Sequence, residues 1–207
     1  MSINFENNMI TGKVAFAKVL NPVKKYQKDN LFELTIDVVV SEDDADTWDE
    51  KFKKQQARAV KTAEFEGIYK FPAPFPDQKK QFIVKLKRDT SYKDGNPVPE
   101  EYWPKVFKLE NGKRKEIGSY LKKNNLGVAN GSTAKISFEV SDNDFGTFAR
   151  LKNILVTDLI EYKSRGEAGD EFGVDEEDGA AEFDSNQENQ GNQETSNSGS
   201  EDAPWDN

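Results

Sequence analysis

Cations and aromatic rings recur side by side along this chain. They come as Lys24, Lys25, Tyr26 and Lys28; as Lys79, Lys80, Lys85, Lys87, Arg88, Tyr92 and Lys93; as Tyr102, Trp103, Lys105, Phe107 and Lys108; and as Lys113, Arg114 and Lys115. These two kinds of group together suit an unpaired polynucleotide. Lysine and arginine follow phosphates, and an exposed ring stacks on a base for roughly 1 to 3 kcal/mol. Most rings in a folded chain are core and most charges are simply solvated. Tyr26, Tyr92, Tyr102 and Trp103, however, fall in polar stretches where burial is disfavoured.

The charge is also segregated. After Arg165 the remaining 42 residues hold fourteen carboxylates and no lysine or arginine, whereas residues 1–165 hold 29 basic against 24 acidic side chains. The formal charge of -9 is therefore a cationic body joined to a strongly anionic tail. A cationic body implies a polyanionic ligand, and a polyanion on the same chain can compete for the same surface. Within the tail, Phe172, Phe183 and Trp205 are each bracketed by acids, as in Asp202-Ala203-Pro204-Trp205-Asp206. An aromatic anchor in local negative charge suits a partner pocket that is apolar with a basic rim.

Other chemistry is poorly provided for. The chain has no cysteine and no histidine, which removes thiolate and Ser-His-Asp nucleophiles, disulfides, and cysteine or histidine metal sites. Glu42, Asp43, Asp44, Asp46, Asp49 and Glu50 cluster, but without the ligand order of a calcium loop they read as the solvated first turns of a helix. Setting these six aside leaves the rest of the body at +11. Asp144-Phe145-Gly146 spells a kinase triplet with none of the accompanying kinase motifs and reads as a turn. An Asn-Gly-Ser sequon at Asn130 would need a secretory route that nothing here advertises. No enzyme, cofactor or metal is expected. With no long apolar run, neither is a membrane span, and an intracellular setting is the expectation.

The elements that must position these groups read mostly as strands. Gly12 to Leu20 and Asn30 to Val40 are expected strands joined by a polar loop holding Lys24, Lys25 and Lys28. In the second, Phe32, Leu34, Ile36, Val38 and Val40 form one face and Glu33, Thr35 and Asp37 the other, the pattern of a half-buried strand. Ser41 is placed to cap a helix with Asp44 three residues on, and the helix is expected over 43–66, ending at Gly67. After a proline-punctuated loop over 71–77, the strand from Gln81 to Arg88 carries cations on one face. Glu110-Asn111-Gly112 marks a basic hairpin between 105–109 and 113–117. The last strands are 134–140 and 148–162, the latter breaking alternation near Lys152 as a bulge would. This predicts a mainly-β fold, an OB-fold five-stranded Greek-key barrel with one helix after the second strand. Residues 1–163 would form that domain. Residues 164–207 would be a disordered acidic interaction tail, too poor in apolar groups to offset the entropy of ordering.

With barrel, helix and acidic aromatic tail assembled, the chain resembles the single-stranded DNA-binding proteins of tailed bacteriophages. The likeness is best from Gly131 through Leu159, where Gly-Ser-Thr-Ala-Lys-Ile-Ser-Phe-Glu-Val leads to Gly146 and then to 151–159, and in the acidic extension beyond. The resemblance implies an OB-fold, a cationic groove for DNA and a homodimer. It also implies a tail that contacts the phage DNA polymerase and helicase-primase, in the cytoplasm of the infected host. Family tails end on an aromatic residue, whereas here Asp206 and Asn207 follow Trp205. Two other roles suit the same features: a strand-annealing or recombination mediator, and an adaptor acting through its tail without binding DNA.

Overall fold

Period-two alternation of Val, Ile and Leu builds the long strands of this protein, of which a computed structural model describes residues 2–163. In chain order the elements are β1 (Ser2–Asn4), β2 (Met9–Lys25), β3 (Lys28–Val40), α1 (Glu42–Lys51), β4 (Arg58–Lys61), α2 (Thr62–Tyr69) and β5 (Lys80–Asp89). A 3-10 turn (Glu100–Tyr102) precedes β6 (Lys105–Glu110), β7 (Lys113–Glu116), α3 (Gly118–Lys123), β8 (Leu126–Val128), β9 (Thr133–Asn143), β10 (Gly146–Asp158) and β11 (Glu161–Lys163). The main sheet runs β4-β5-β3-β2-β9-β10-β6-β7, with β1 added to β2, and β11 pairs separately with β8.

Its five long strands, β2, β3, β5, β9 and β10, are neighbours in the order third-second-first-fourth-fifth. This is the Greek-key order of an OB-fold. Every step from β5 to β10 through that series is antiparallel, so β5 and β10 run parallel to each other. They share no ladder, and the barrel stays open along that seam. The outer edge of β10 is divided at Lys152. The register shift between Leu151 and Asn153 is the bulge expected there, and from Asn153 onward β6 occupies the edge in parallel pairing.

The core inside the barrel includes Ile10, Val14, Ile36, Val38, Val84, Leu86, Ile136, Leu151 and Ile154, all buried. At one end α1 inserts Trp48 and Phe52, whose ring centroids lie 4.3 Å apart, against the edge-on ring of Phe138. Ser41 caps α1 as its spacing predicts: its Oγ accepts from Asp44 N at 3.3 Å and donates to Asp44 Oδ2 at 2.7 Å. The other Asp44 oxygen accepts from Ile3 N at 3.1 Å, tying β1 to the helix start.

Several expectations are corrected. The helix of 43–66 is three elements. After Phe52 the run Lys53-Lys54-Gln55-Gln56 offers no apolar stripe, the chain turns, and 58–61 pairs with the edge of β5. Pairing and burial of Val60 and Phe65 outweigh the helical spacing of Ala59 and Ala63, as tertiary context commonly overrides propensity. Gly67 lies inside α2, and the stop is Lys70, which takes the left-handed conformation at φ 61°. Strand β3 is covered on both faces, because Ala15, Val39, Phe65, Tyr69, Phe71 and Ile83 form a second apolar cluster outside the barrel. Thr35 and Asp37, expected at the surface, are buried. Lys24 and Lys25 belong to β2, which continues almost to the turn at Tyr26 and Gln27. Residues 148–162 divide between β10 and β11, and 113–117 gives way to α3 at Ile117. The basic hairpin forms as read, with Asn111 and Gly112 both at positive φ (51° and 74°), the turn its strands require. The sequon amide of Asn130 is engaged at both ends, accepting from Phe16 N at 2.8 Å and donating to Tyr69 O at 3.0 Å.

The proposed tail and its residues Phe172, Phe183, Asp202, Trp205 and Asp206 lie outside the described residues. Among those described, no helix is long and apolar enough to cross a membrane, and no cluster of carboxylates is placed to hold a metal ion.

Candidate nucleic-acid interface

Where β5 and β10 fail to pair, the molecule carries a groove of about 930 Å³. One wall is the second half of β5 and the segment after it, with Lys85, Lys87, Arg88, Asp89, Ser91, Tyr92 and Lys93. Asn143, Phe148, Ala149 and Arg150 from β9 and β10 form the other. Lys54 and Gln55, from the turn after α1, also line it, as do Glu33, Val98 and Tyr102. Six cations face two carboxylates, so the groove is electropositive.

The free part of that charge can be identified. Lys87 lies 3.7 Å from Glu33, and Arg88 donates to Glu139 at 2.9 Å across the seam. The hydrogen bond from Arg88 holds the Glu139 carboxyl below the usual range. Lys54, Lys93 and Arg150 make no ion pair among the described residues, and Lys85 has only the buried Asp37 nearby. The groove thus offers cations without an ion pair on both walls, Lys93 on one and Arg150 on the other. Two tyrosines stand beside them, Tyr92 at 52 % and Tyr102 at 59 % exposure, with Phe148 half-buried. Rings this open, set among cations, can stack on flat groups while the cations contact phosphates.

Of the residues predicted from sequence, the fold brings Lys85, Lys87, Arg88, Tyr92, Lys93 and Tyr102 into this one site. The β2–β3 turn with Lys24, Lys25, Tyr26 and Lys28 lies next to it, since Lys25 Nζ is 2.6 Å from the groove residue Asp89. Tyr26, at 86 % exposure, is the most open ring described. Lys79 and Lys80 are elsewhere: Lys80 begins β5 opposite Lys61, roughly 16 Å of strand before Lys85. Trp103 is half-buried. Its Nε1 donates to Val98 O at 2.8 Å and Lys122 Nζ sits 5.2 Å from its ring centre, so it braces the loop behind Tyr102.

The hairpin is a separate basic surface beyond β10. Lys108 stands opposite Lys115 and Lys113 opposite Glu110, Lys105 lies 3.9 Å from Glu116, and Arg114 is exposed. Phe107 is half-buried opposite Leu155. Lys115 donates to Glu110 at 2.8 Å, which lowers the Glu110 pKa and raises its own.

Sequence reasoning missed Lys54, Gln55, Phe148 and Arg150. The first two were hidden by the overlong helix, and the last two sit on a strand whose facing edge is set only by closure of the barrel. Phe145, read as part of a turn, is 80 % exposed at the tip of the β9–β10 hairpin. Asn143 Oδ1 accepts from its N–H at 2.9 Å, and Gly146 follows at φ 126°. A Cβ on Gly146 would lie 3.6 Å from Lys54, so this open ring stands at the groove's margin.

No protein family's sequence model matches the chain, and no curated protein matches it in sequence. Among solved structures, it is similar to a single-stranded DNA-binding protein from bacteriophage Enc34 in complex with ssDNA, with 14% identity over 74% of this chain and 88% of that one, at a TM-score of 0.40. It is also similar to gp2.5, a single-stranded DNA-binding protein encoded by bacteriophage T7, with 15% identity over 81% of this chain and 95% of that one, at a TM-score of 0.38.

Proposed function

We propose that this protein binds single-stranded DNA along the β5–β10 groove, with little preference for sequence. The observation that carries this reading is the convergence of cations without ion pairs among the described residues (Lys54, Lys93, Arg150), and of Lys85 beside the buried Asp37, with open rings (Tyr92, Tyr102) in one cleft. Phosphate contacts supply affinity and stacking holds the bases, and neither distinguishes one base strongly from another. A cleft lined by rings receives bases that are already unpaired, whereas in a duplex the base faces are occupied by their neighbours. Tyr26 and Phe145, on the two hairpin tips beside the groove, extend the stacking surface.

In this reading the protein coats and protects single strands during phage replication. The acidic segment from 164 onward competes for the groove when DNA is absent and presents Trp205 to the replicative polymerase and helicase-primase. A homodimer is the expected form.

Titration of labelled oligonucleotides, single- and double-stranded, across a range of salt tests the core of the proposal. Single strands should bind more tightly, with log K falling linearly against log salt. Replacing Lys85 and Arg150 by alanine should flatten that line by about 0.7 for each phosphate no longer neutralised. Tyr92→Ala should weaken binding and leave the slope alone. Absence of binding to single strands even at low salt would refute the proposal.

A further inference from the structure

Besides the Arg88–Glu139 ion pair, the open seam between β5 and β10 is crossed by a side chain that joins the two strand backbones directly. Gln55 Nε2 donates to Lys85 O on β5 at 2.9 Å, and its Oε1 accepts from Ala149 N on β10 at 3.0 Å. Only one orientation of the amide meets both needs, since a carbonyl requires a donor and an N–H an acceptor. Gln55 therefore does for the two strands what a ladder would have done. Its position in the sheet explains why it is needed there. The edge of β5 is covered by β4 only as far as Ile83, and that of β10 by β6 only from Asn153. Lys85 and Ala149 lie in the interval left bare on each strand.

The latch is rigidly mounted. Gln55 N donates to Phe52 O at 2.7 Å, and Gln55 O accepts from Trp48 Nε1 at 2.7 Å. Trp48 is fully buried in the barrel core, so the backbone of Gln55 is pinned to a fully buried side chain of α1. The bonds place Lys85 on one wall and Ala149, the neighbour of Phe148 and Arg150, on the other, at a fixed separation. A few tenths of an ångström there would move cations and rings on opposite walls relative to one another.

We infer that Gln55 is a positioning residue, an amide latch that sets the separation of the groove walls and thereby the affinity for single-stranded DNA. The inference rests on the reading of the groove as a single-strand site. It is tested with Gln55→Ala and Gln55→Met, both of which remove the two bonds, the second while keeping a side chain of similar length and adding no charge to the groove. Binding of oligothymidine is measured at a temperature where circular dichroism shows each variant folded. Affinity should fall by roughly tenfold for each, the scale of one or two hydrogen bonds. The slope of log K against log salt should be unchanged, because every phosphate-binding cation is still in place.

Folded variants that bind like the parent would overturn the inference, and so would a flattened slope, which would mean that phosphate-binding cations had been displaced and not merely respaced. Should neither variant fold, amide exchange in the unaltered protein decides: the Ala149 N–H should be protected, and slowed further by oligothymidine. Fast exchange in both conditions would refute the latch. Failure of the parent protein to bind DNA would instead refute the functional reading and is seen before any variant is made.

Discussion

Asp37 sits 5 % exposed beneath Arg58, with Arg58 Nη2 3.3 Å from its Oδ2, while Arg58 also donates to the Tyr69 hydroxyl. Burial pushes the Asp37 carboxyl above its ordinary range, and Lys85 and Arg58 offset this only in part. An acid whose folded-state pKa is raised takes up protons in the native state that the unfolded chain does not hold. Stability therefore falls as pH rises from the usual aspartate range through the raised value, and the cost is complete above it. Asp37→Asn should melt at a higher temperature than the parent at neutral pH, with the gap closing as the solution is acidified. A variant less stable at pH 7 would show that the pairing with Arg58 outweighs the burial cost. Glu139 has the opposite sign: its lowered pKa contributes stability at neutral pH that is lost as pH falls through that value. At this scale the sequence was readable where a face was written into a strand, as for Lys85 and Lys87 alternating with Val84 and Leu86. It was silent on Asp37, whose burial depends on Arg58 and Tyr69 folding over it from later elements.

Local rules worked for element starts and turns and failed for element length. Ser41 and Asp44 cap α1 by contacts spanning three residues, and Asn111-Gly112 turns the hairpin by backbone preference alone. Both depend on neighbours in sequence. Ser41→Ala should cost about 1 kcal/mol, or about 2 to 4 °C in melting temperature for a domain of this size; thermal unfolding by circular dichroism measures it. No change in melting would mean that the bond from Ile3 to Asp44 suffices to hold the helix start. The end of α1, by contrast, is decided by two contacts that fold the chain back on the helix and by one distant strand edge. Trp48 Nε1 captures Gln55 O, Asp49 Oδ1 captures Ala57 N at 2.7 Å, and β5 offers an edge to Arg58–Lys61. No pattern within 43–66 announces that edge. The same misreading removed Lys54 and Gln55 from the predicted site.

For the molecule as a whole, charge segregation is the property with the largest reach. On the proposed function, a chain ending at Lys163 should bind oligothymidine more tightly than the full chain at low salt, and the difference should shrink as salt screens both. Equal affinities at low ionic strength would rule out competition by the acidic segment. The surplus of positive charge on residues 1–165 is a matter of counting, and so is the want of histidine and cysteine. Composition and two-residue alternation likewise determined the mainly-β class, because side-chain direction along a strand is fixed by backbone geometry. Which edges meet and which stay apart was decided by the tertiary structure. The groove exists because β5 and β10 lack a ladder, because β4 and β6 cover only the outer stretches of their edges, and because Gln55 holds the bare interval together. Those are relations between segments up to 94 residues apart, and a linear pattern does not encode the distance across a seam.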